Sequence, residues 1–223
     1  ISHELKTPTV PILGYCEMLV NSKLGSLSTD QNEAVKEIQQ NAIQLNHLIF
    51  DFWNAQQLDL GKMKYFYEDV NVNELIKHLE RDLSNLIIGK NIEFSKLIES
   101  EIHITTDESK LFEIFKNLIE NSSNFVPEIG GKIQISVKPD DSFVQFSVED
   151  NGSGIAKEKM NLLFKKFHQI DTSHRRVHSG GGLGLTICKG YIEDMGGKIW
   201  AKSEIDIGTT FFFTLPKNQG EKL

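Results

Sequence analysis

An apolar repeat that alternates spacings of three and four without a break sets the architecture of the first quarter of this chain. Val35, Ile38, Ala42, Leu45, Ile49 and Phe52 all fall on it. That pattern places them on one stripe of an amphipathic helix covering about residues 30–58. Ser28, Thr29 and Asp30 offer side chains that can cap its N-terminus. A shorter stripe precedes it through Leu5, Ile12, Cys16 and Leu19, at spacings of seven, four and three. Residues 24–29 between the two form a short turn, so the helices are expected to pack as an antiparallel hairpin. Two helices make a poor core on their own. The heptad-compatible spacing predicts that a second copy of the chain completes a four-helix bundle.

The chain has 223 residues, enough for one or two domains with real cores. Its formal charge of −7 argues against nucleic acid as the main partner. Basic residues nevertheless gather at Lys165, Lys166, Arg175 and Arg176, with His168, His174 and His178 among them, as a local anionic ligand would require. Cys16 and Cys188 lie inside apolar helical patterns and read as small core residues in a reducing, cytoplasmic compartment. No apolar run is long enough to span a membrane, and no signal peptide opens the chain. The chain starts in the middle of a helical pattern, so it reads as part of something longer, with any sensor or membrane anchor in the preceding part.

Gly61 marks a change of pattern. Asn73 is placed to cap a helix running to about residue 87, and β-like runs follow at 92–95 and 102–105. Asp107 caps an apolar-periodic helix through Leu111, Ile114, Phe115, Leu118 and Ile119. Two alternating strands, 132–138 and 142–149, flank a turn of Pro139, Asp140 and Asp141. A helix near 157–167, a glycine-rich stretch, a helix over 183–195 and two closing strands complete the reading. The fold class expected is α+β: the helical hairpin, then an α/β sandwich with a mixed sheet. The divisions fall at residues 1–62, 63–217 and a tail at 218–223.

Four places carry chemistry. His3 sits two positions before Leu5, off the apolar stripe and facing solvent, where a neutral imidazole keeps a ring nitrogen free as a nucleophile. Thr7 shares its face, and Pro8 and Pro11 withhold N–H groups from the carbonyls of Glu4 and Thr7, which predicts a bend just beyond His3. A solvated surface histidine is the commoner state, so the rest of the chain must decide. Asp150, Asn151, Gly152, Ser153 and Gly154 follow a strand, with glycines that permit close backbone approach beside a carboxylate. Gly180, Gly181, Gly182, Leu183, Gly184 and Leu185 open a helix, a cradle for phosphate built from free N–H groups and the positive dipole end. No lysine and serine or threonine follow, so it is not a Walker loop, and no strand precedes it as in a dinucleotide fingerprint. Asn117 and Asn121 lie four apart on one helical face beside Glu120 and Asn124, and amide oxygens suit a hard cation such as Mg²⁺. Singly these are polar turns, linkers and solvated faces; together they compose a nucleoside triphosphate site.

In this order the motifs resemble the catalytic core of a sensor histidine kinase, over nearly the whole chain. His3, Glu4, Leu5, Lys6, Thr7 and Pro8 resemble the H box, and Asn117 to Asn121 with Phe125 the N box. Asp150, Gly152 and Gly154 resemble the first glycine box, Leu163, Phe164 and Phe167 the phenylalanine box, and Gly180, Gly182, Gly184 and Leu185 the second glycine box. Gly208, Thr209, Thr210 and Phe211 resemble the closing strand motif. The resemblance implies a homodimer that uses ATP and Mg²⁺, phosphorylates itself on His3 and passes the phosphoryl group to an aspartate of a response-regulator receiver domain. It implies Glu4 as base and orienter, Thr7 as a residue that positions water for dephosphorylating the partner, Asn121 on Mg²⁺ and Asp150 on the adenine amino group. Asn117, Phe125, Ile155, Arg175, Arg176 and Thr209 join the glycines in the nucleotide site.

The chain departs from the family pattern at several points. Asn124 stands where lysine is frequent, Ser179 and Gly181 where glycine and threonine are usual, Gln169 where many members carry arginine, and Thr9 in place of a leucine. Arg175 and Arg176 are placed to restore the lost charge. The competing readings are a nucleotide-binding scaffold or relay that turns over poorly, and a nucleotide-gated clamp of the same superfamily. Intact His3, Asn121 and Asp150 argue against the first, and an exposed histidine on a hairpin against the second.

Overall fold

The computed structural model describes residues 8–98, 100–168 and 181–218. Helix α1 (Thr9–Val20) follows Pro8, whose φ of −72° and ψ of −22° are already helical. Pro11 falls in the first turn, where the missing N–H costs nothing. Helix α2 (Thr29–Asp59) starts with a full capping box: Gln31 N donates to Ser28 Oγ and Ser28 N donates to the Gln31 side chain. It stops at Gly61, whose φ of +60° suits glycine in the position after a helix end. The Thr9 hydroxyl donates to Asn46 Oδ1, tying the start of α1 to the distal half of α2. The hairpin is therefore as expected, as are the buried cysteines. The bend expected beyond His3 lies outside the described residues. Of the expected seam, Ala42 and Cys16 are buried, while Ile12, Ile38, Leu45 and Phe52 remain 42, 52, 48 and 44 % exposed in the single chain.

The rest of the chain runs β1 (Glu68–Asn71), α3 (Val72–Asp82), α4 (Ser84–Gly89), β2 (Glu93–Ile98), β3 (His103–Thr106), α5 (Glu108–Ser123), β4 (Lys132–Pro139) and β5 (Phe143–Asp150). It continues through a 3₁₀ turn (Lys157–Leu162), α6 (Gly184–Asp194), β6 (Lys198–Glu204) and β7 (Gly208–Pro216). Five strands form a mixed sheet in the order β2-β4-β5-β7-β6, with β2–β4 parallel and the other pairs antiparallel. One face of the sheet presents Ile133, Ile135, Val144, Phe146, Val148, Phe211, Phe213 and Leu215, all buried under α3, α5 and α6. The other face carries Gln134, Ser136, Gln145, Ser147, Thr210 and Thr214, half-exposed. This is the two-layer sandwich of a half-buried sheet with its helices on one side. At its centre Phe115, Phe146 and Phe213 meet with ring centroids 4.6 to 5.7 Å apart, and each buried ring is worth about 1.5–3 kcal/mol.

Three local expectations are corrected. The helix near 72–87 is capped by Asn71, not Asn73, because Asn71 Oδ1 accepts from Asn73 N and Glu74 N. Asn73 instead braces the 100–102 turn through Ser100 O and Ile102 N. That helix also breaks at Leu83, giving α3 and α4. The strand expected at 102–105 is found as β3, which pairs with β1 in a separate two-stranded sheet. The helix expected over 157–167 is only a 3₁₀ turn, since Phe167, at φ +58°, turns away to donate its N–H to Gly182 O.

Candidate functional site

The site forms where β5 ends and β7 begins, under the second half of α5. Asp150 closes β5 in register with Thr209 of β7 and is 6 % exposed. Its Oδ1 accepts from Gly152 N at 2.9 Å and Thr209 N at 3.2 Å, and its Oδ2 accepts from the Ser122 hydroxyl at 2.7 Å. Burial pushes the Asp150 carboxyl above the usual carboxylate range, and the bonds from Ser122, Gly152 and Thr209 pull the other way. Two glycines make the approach possible. A Cβ on Gly152 would lie 2.8 Å from both Asp150 Oδ1 and Phe125 O, and one on Gly154, at φ +67°, would lie 2.0 Å from Glu204 O. Ser153 N donates to Phe125 O, which fastens this loop to the end of α5. Ile155 N donates to Ser203 Oγ, and that hydroxyl also contacts Gly208 O and Thr209 Oγ1.

Asn117 and Asn121 follow from the α5 periodicity: Leu111, Ile114, Phe115, Leu118 and Ile119 take the buried face, which leaves both asparagines half-buried at its edge. The start of α6 approaches the same edge, and a Cβ on Gly184 would lie 3.3 Å from Asn117 Oδ1. Among the described residues no side chain caps α6, which leaves its first backbone N–H groups available to an anion. Gly182, at φ +67°, accepts from Phe167 N, and Phe164 O accepts from the Thr186 hydroxyl. The phenylalanine-box segment is thus pinned to the helix start. Leu185 packs on the core. His3, Glu4, Thr7, Arg175, Arg176 and Gly180 lie outside the described residues, as do Gln169 and Ser179.

Three contributors were not foreseen. Ser122 is fully buried and can bond only inward, which a small hydroxyl beside Asn121 could have signalled. Ser203 stands on β6, hairpin-paired with β7, and gains its role from the bond that Ile155 N, distant in sequence, donates to it. Lys90 reaches the end of α5, donating to Ser123 O at 2.9 Å, Ser123 Oγ at 3.2 Å and Asn124 Oδ1 at 2.8 Å. An ammonium therefore stands at Asn124 although the side chain there is neutral, and it also satisfies a terminal helix carbonyl. Among the described residues no three histidine, cysteine, aspartate or glutamate side chains gather as metal ligands. The donors this edge offers a cation are amide oxygens, which fit a hard ion held jointly with phosphate.

Residues 106–219, just over half of the chain, match the family described as histidine kinase-, DNA gyrase B- and HSP90-like ATPase, and residues 1–61 match the His Kinase A (phospho-acceptor) domain. The chain belongs to the histidine kinases. It is the catalytic core of a two-component sensor kinase, an ATP-binding ATPase domain joined to a phosphoacceptor hairpin. Hybrid signal transduction histidine kinase B of Dictyostelium discoideum is 32% identical over 97% of this core, which spans 11% of that protein. Autoinducer 2 sensor kinase/phosphatase LuxQ of Vibrio vulnificus is 30% identical over 99% of the core, which spans 26% of it. Among solved structures, full-length ShkA in complex with AMPPNP superposes with a TM-score of 0.81 at 27% identity, covering 96% of the core and 44% of that chain. The nucleotide-free catalytic domain of ThkA gives 0.61 at 31% identity, covering 69% and 97%. The core thus spans about a quarter or less of the curated relatives named.

Proposed function

We propose that this core binds Mg²⁺-ATP at the Asp150 end of the sheet, phosphorylates His3, and passes the phosphoryl group to an aspartate of a response-regulator receiver domain. The observation that carries the reading is the convergence at one sheet end of a buried carboxylate, an asparagine face and an uncapped helix start. Asp150 holds the adenine amino group, with Phe125, Gly152, Gly154, Ile155 and Thr209 walling the base. Gly180, Gly182, Gly184 and Leu185 present backbone N–H groups to the phosphates, and Arg175 and Arg176 add charge. Asn121 ligates Mg²⁺ beside Asn117; the ion supplies charge neutralisation on the phosphate oxygens, the main demand of phosphoryl transfer. In autophosphorylation a His3 ring nitrogen bonds to the γ-phosphorus as the bond to the ADP oxygen breaks, and Glu4 takes the imidazole proton. Thr7 positions water for removing phosphate from the partner.

Exposed Ile12, Ile38, Leu45 and Phe52 support a homodimer through the hairpin. We place the hairpin at 1–62, the ATPase domain at 63–217 and a tail at 218–223. No helix among the described residues is long and apolar enough to cross a membrane, and dependence on ATP fits a cytoplasmic location. Incubation with γ-labelled ATP tests the reading. Acid-labile label on the protein supports it, nucleotide binding without label favours the scaffold, and hydrolysis without label favours the clamp.

A further inference from the structure

The ATPase domain is docked on α2, and the seam between them has an unusual composition. Leu58 lies against Gly190 of α6, where an added Cβ would come within 2.6 Å of Leu58 Cδ1, and Leu48 lies against Gly181. Ala55 joins the main core, and Lys166 pairs with Asp59. In the middle of this contact stands Asn54, 0 % exposed. Its Nδ2 donates to Glu113 Oε1 at 3.2 Å, but its Oδ1 has no partner among the described residues. A buried amide oxygen without a donor is destabilising, because it has given up its water without replacement. One turn back on the same helix face is Asp51, half-buried and close enough to α5 to feel the charges of Glu113 and Glu120. Carboxylates converge here beside an acceptor that lacks a hydrogen.

We propose that docking of the ATPase domain on α2 is coupled to uptake of one proton by Asp51, so that mild acidification closes the seam and raising the pH loosens it. A protonated Asp51 ceases to repel Glu113 and offers an O–H to the neighbouring Asn54 oxygen. The surrounding groups do not supply that hydrogen. From α5, Glu113 already takes Lys110 Nζ at 3.4 Å and the Tyr191 hydroxyl at 3.2 Å, and Lys116 pairs with Asp82. From α6, the Cys188 thiol faces Asp51 and is itself held protonated by burial. On α2, His47 faces Glu120, as does Lys90. Burial, then Glu113 and Glu120, push Asp51 up to about 6.

The sign follows from linkage. The docked state holds the proton more tightly than the undocked one, so docking is strongest at low pH and weakens as pH rises through the docked value. With Asp51 raised from the ordinary carboxylate range to about 6, docking strengthens up to about tenfold between pH 7 and pH 5. This device stands on the seam alone and survives if the nucleotide chemistry proposed above is wrong. Hydrogen exchange of the whole chain, corrected for intrinsic rates, reads it in the peptides of α6 and distal α2 from pH 5 to pH 8. Protection is expected to fall with rising pH in the wild type, to stay high and flat in Asp51→Asn, and to keep its slope in His47→Gln. A wild-type profile flat with pH overturns the proposal, as does an unchanged slope in Asp51→Asn or a slope lost in His47→Gln alone.

Discussion

Replacing Asp150 by asparagine should separate folding from nucleotide binding. Oδ1 of Asp150 accepts both backbone bonds, from Gly152 and Thr209, and an asparagine oxygen can keep them. The amide nitrogen then replaces Oδ2, and the Ser122 hydroxyl, which donates at 2.7 Å, can turn to accept. The charge itself is a burden, since burial raises this carboxyl more than its three hydrogen bonds lower it. A folded-state value above the unfolded one means stability is fullest below the unfolded value and lost as pH rises through the folded one. Asp150→Asn removes that loss and should leave stability at neutral pH unchanged or higher. Binding should suffer, because an N–H now faces the adenine amino group where an acceptor stood. A hydrogen bond to a charged group is worth about 1.5–3 kcal/mol, so affinity should fall about 10- to 100-fold at ~1.4 kcal/mol per tenfold. Asp150→Ala is the contrast: it strands two buried N–H groups at about 1–3 kcal/mol each and should lose about 2–6 kcal/mol of stability. Urea unfolding and calorimetric titration with ATP measure both quantities. Asparagine binding within threefold of wild type would refute the assignment of Asp150 to the base.

Asn121→Ala should lose Mg²⁺-dependent ATP affinity while keeping the metal-free affinity, as read by titration with and without EDTA; an equal loss in both contradicts the metal role. Neutralising Arg175 and Arg176 together should weaken ATP more than ADP, since the γ-phosphate adds the charge they meet, and a matched loss would return them to a solvated loop. Thr7→Ala should spare autophosphorylation and slow dephosphorylation of the partner; parallel rate measurements that fall together would mean the hydroxyl only adjusts the helix. Gly154→Ala should strand the chain in inclusion bodies or strip nucleotide binding, because its Cβ would meet Glu204 O at 2.0 Å; a well-folded, binding variant would show that the loop can move aside.

The elements that read well in the sequence were those whose signal is local and long. α2 announces itself through six apolar positions in phase and cap candidates at Ser28, Thr29 and Asp30. β4, β5 and α5 alternate or repeat cleanly because one face of each is buried. Short pieces read poorly: β1 has four residues and is held by β3, over 30 positions away, and the 157–167 segment has helical composition but yields to the bond from Phe167 to Gly182. Within the site, the glycines and Asp150 were legible because close approach demands specific residue types. Ser122, Ser203 and Lys90 were not, because a serine or lysine gains meaning only from the partner the fold brings to it. The Asn54–Glu113 bond is of the same kind, joining two helices through residues 59 positions apart in sequences that look like ordinary surface.

The central claim is that His3 is the phosphoacceptor served by the Asp150 site. The most direct test is transfer from γ-labelled ATP to the wild type and to His3→Gln, with nucleotide affinity measured on both proteins. Acid-labile, base-stable label confined to the wild type, at equal ATP affinity in both, is the expected result. Label that persists in His3→Gln at wild-type level would contradict the account.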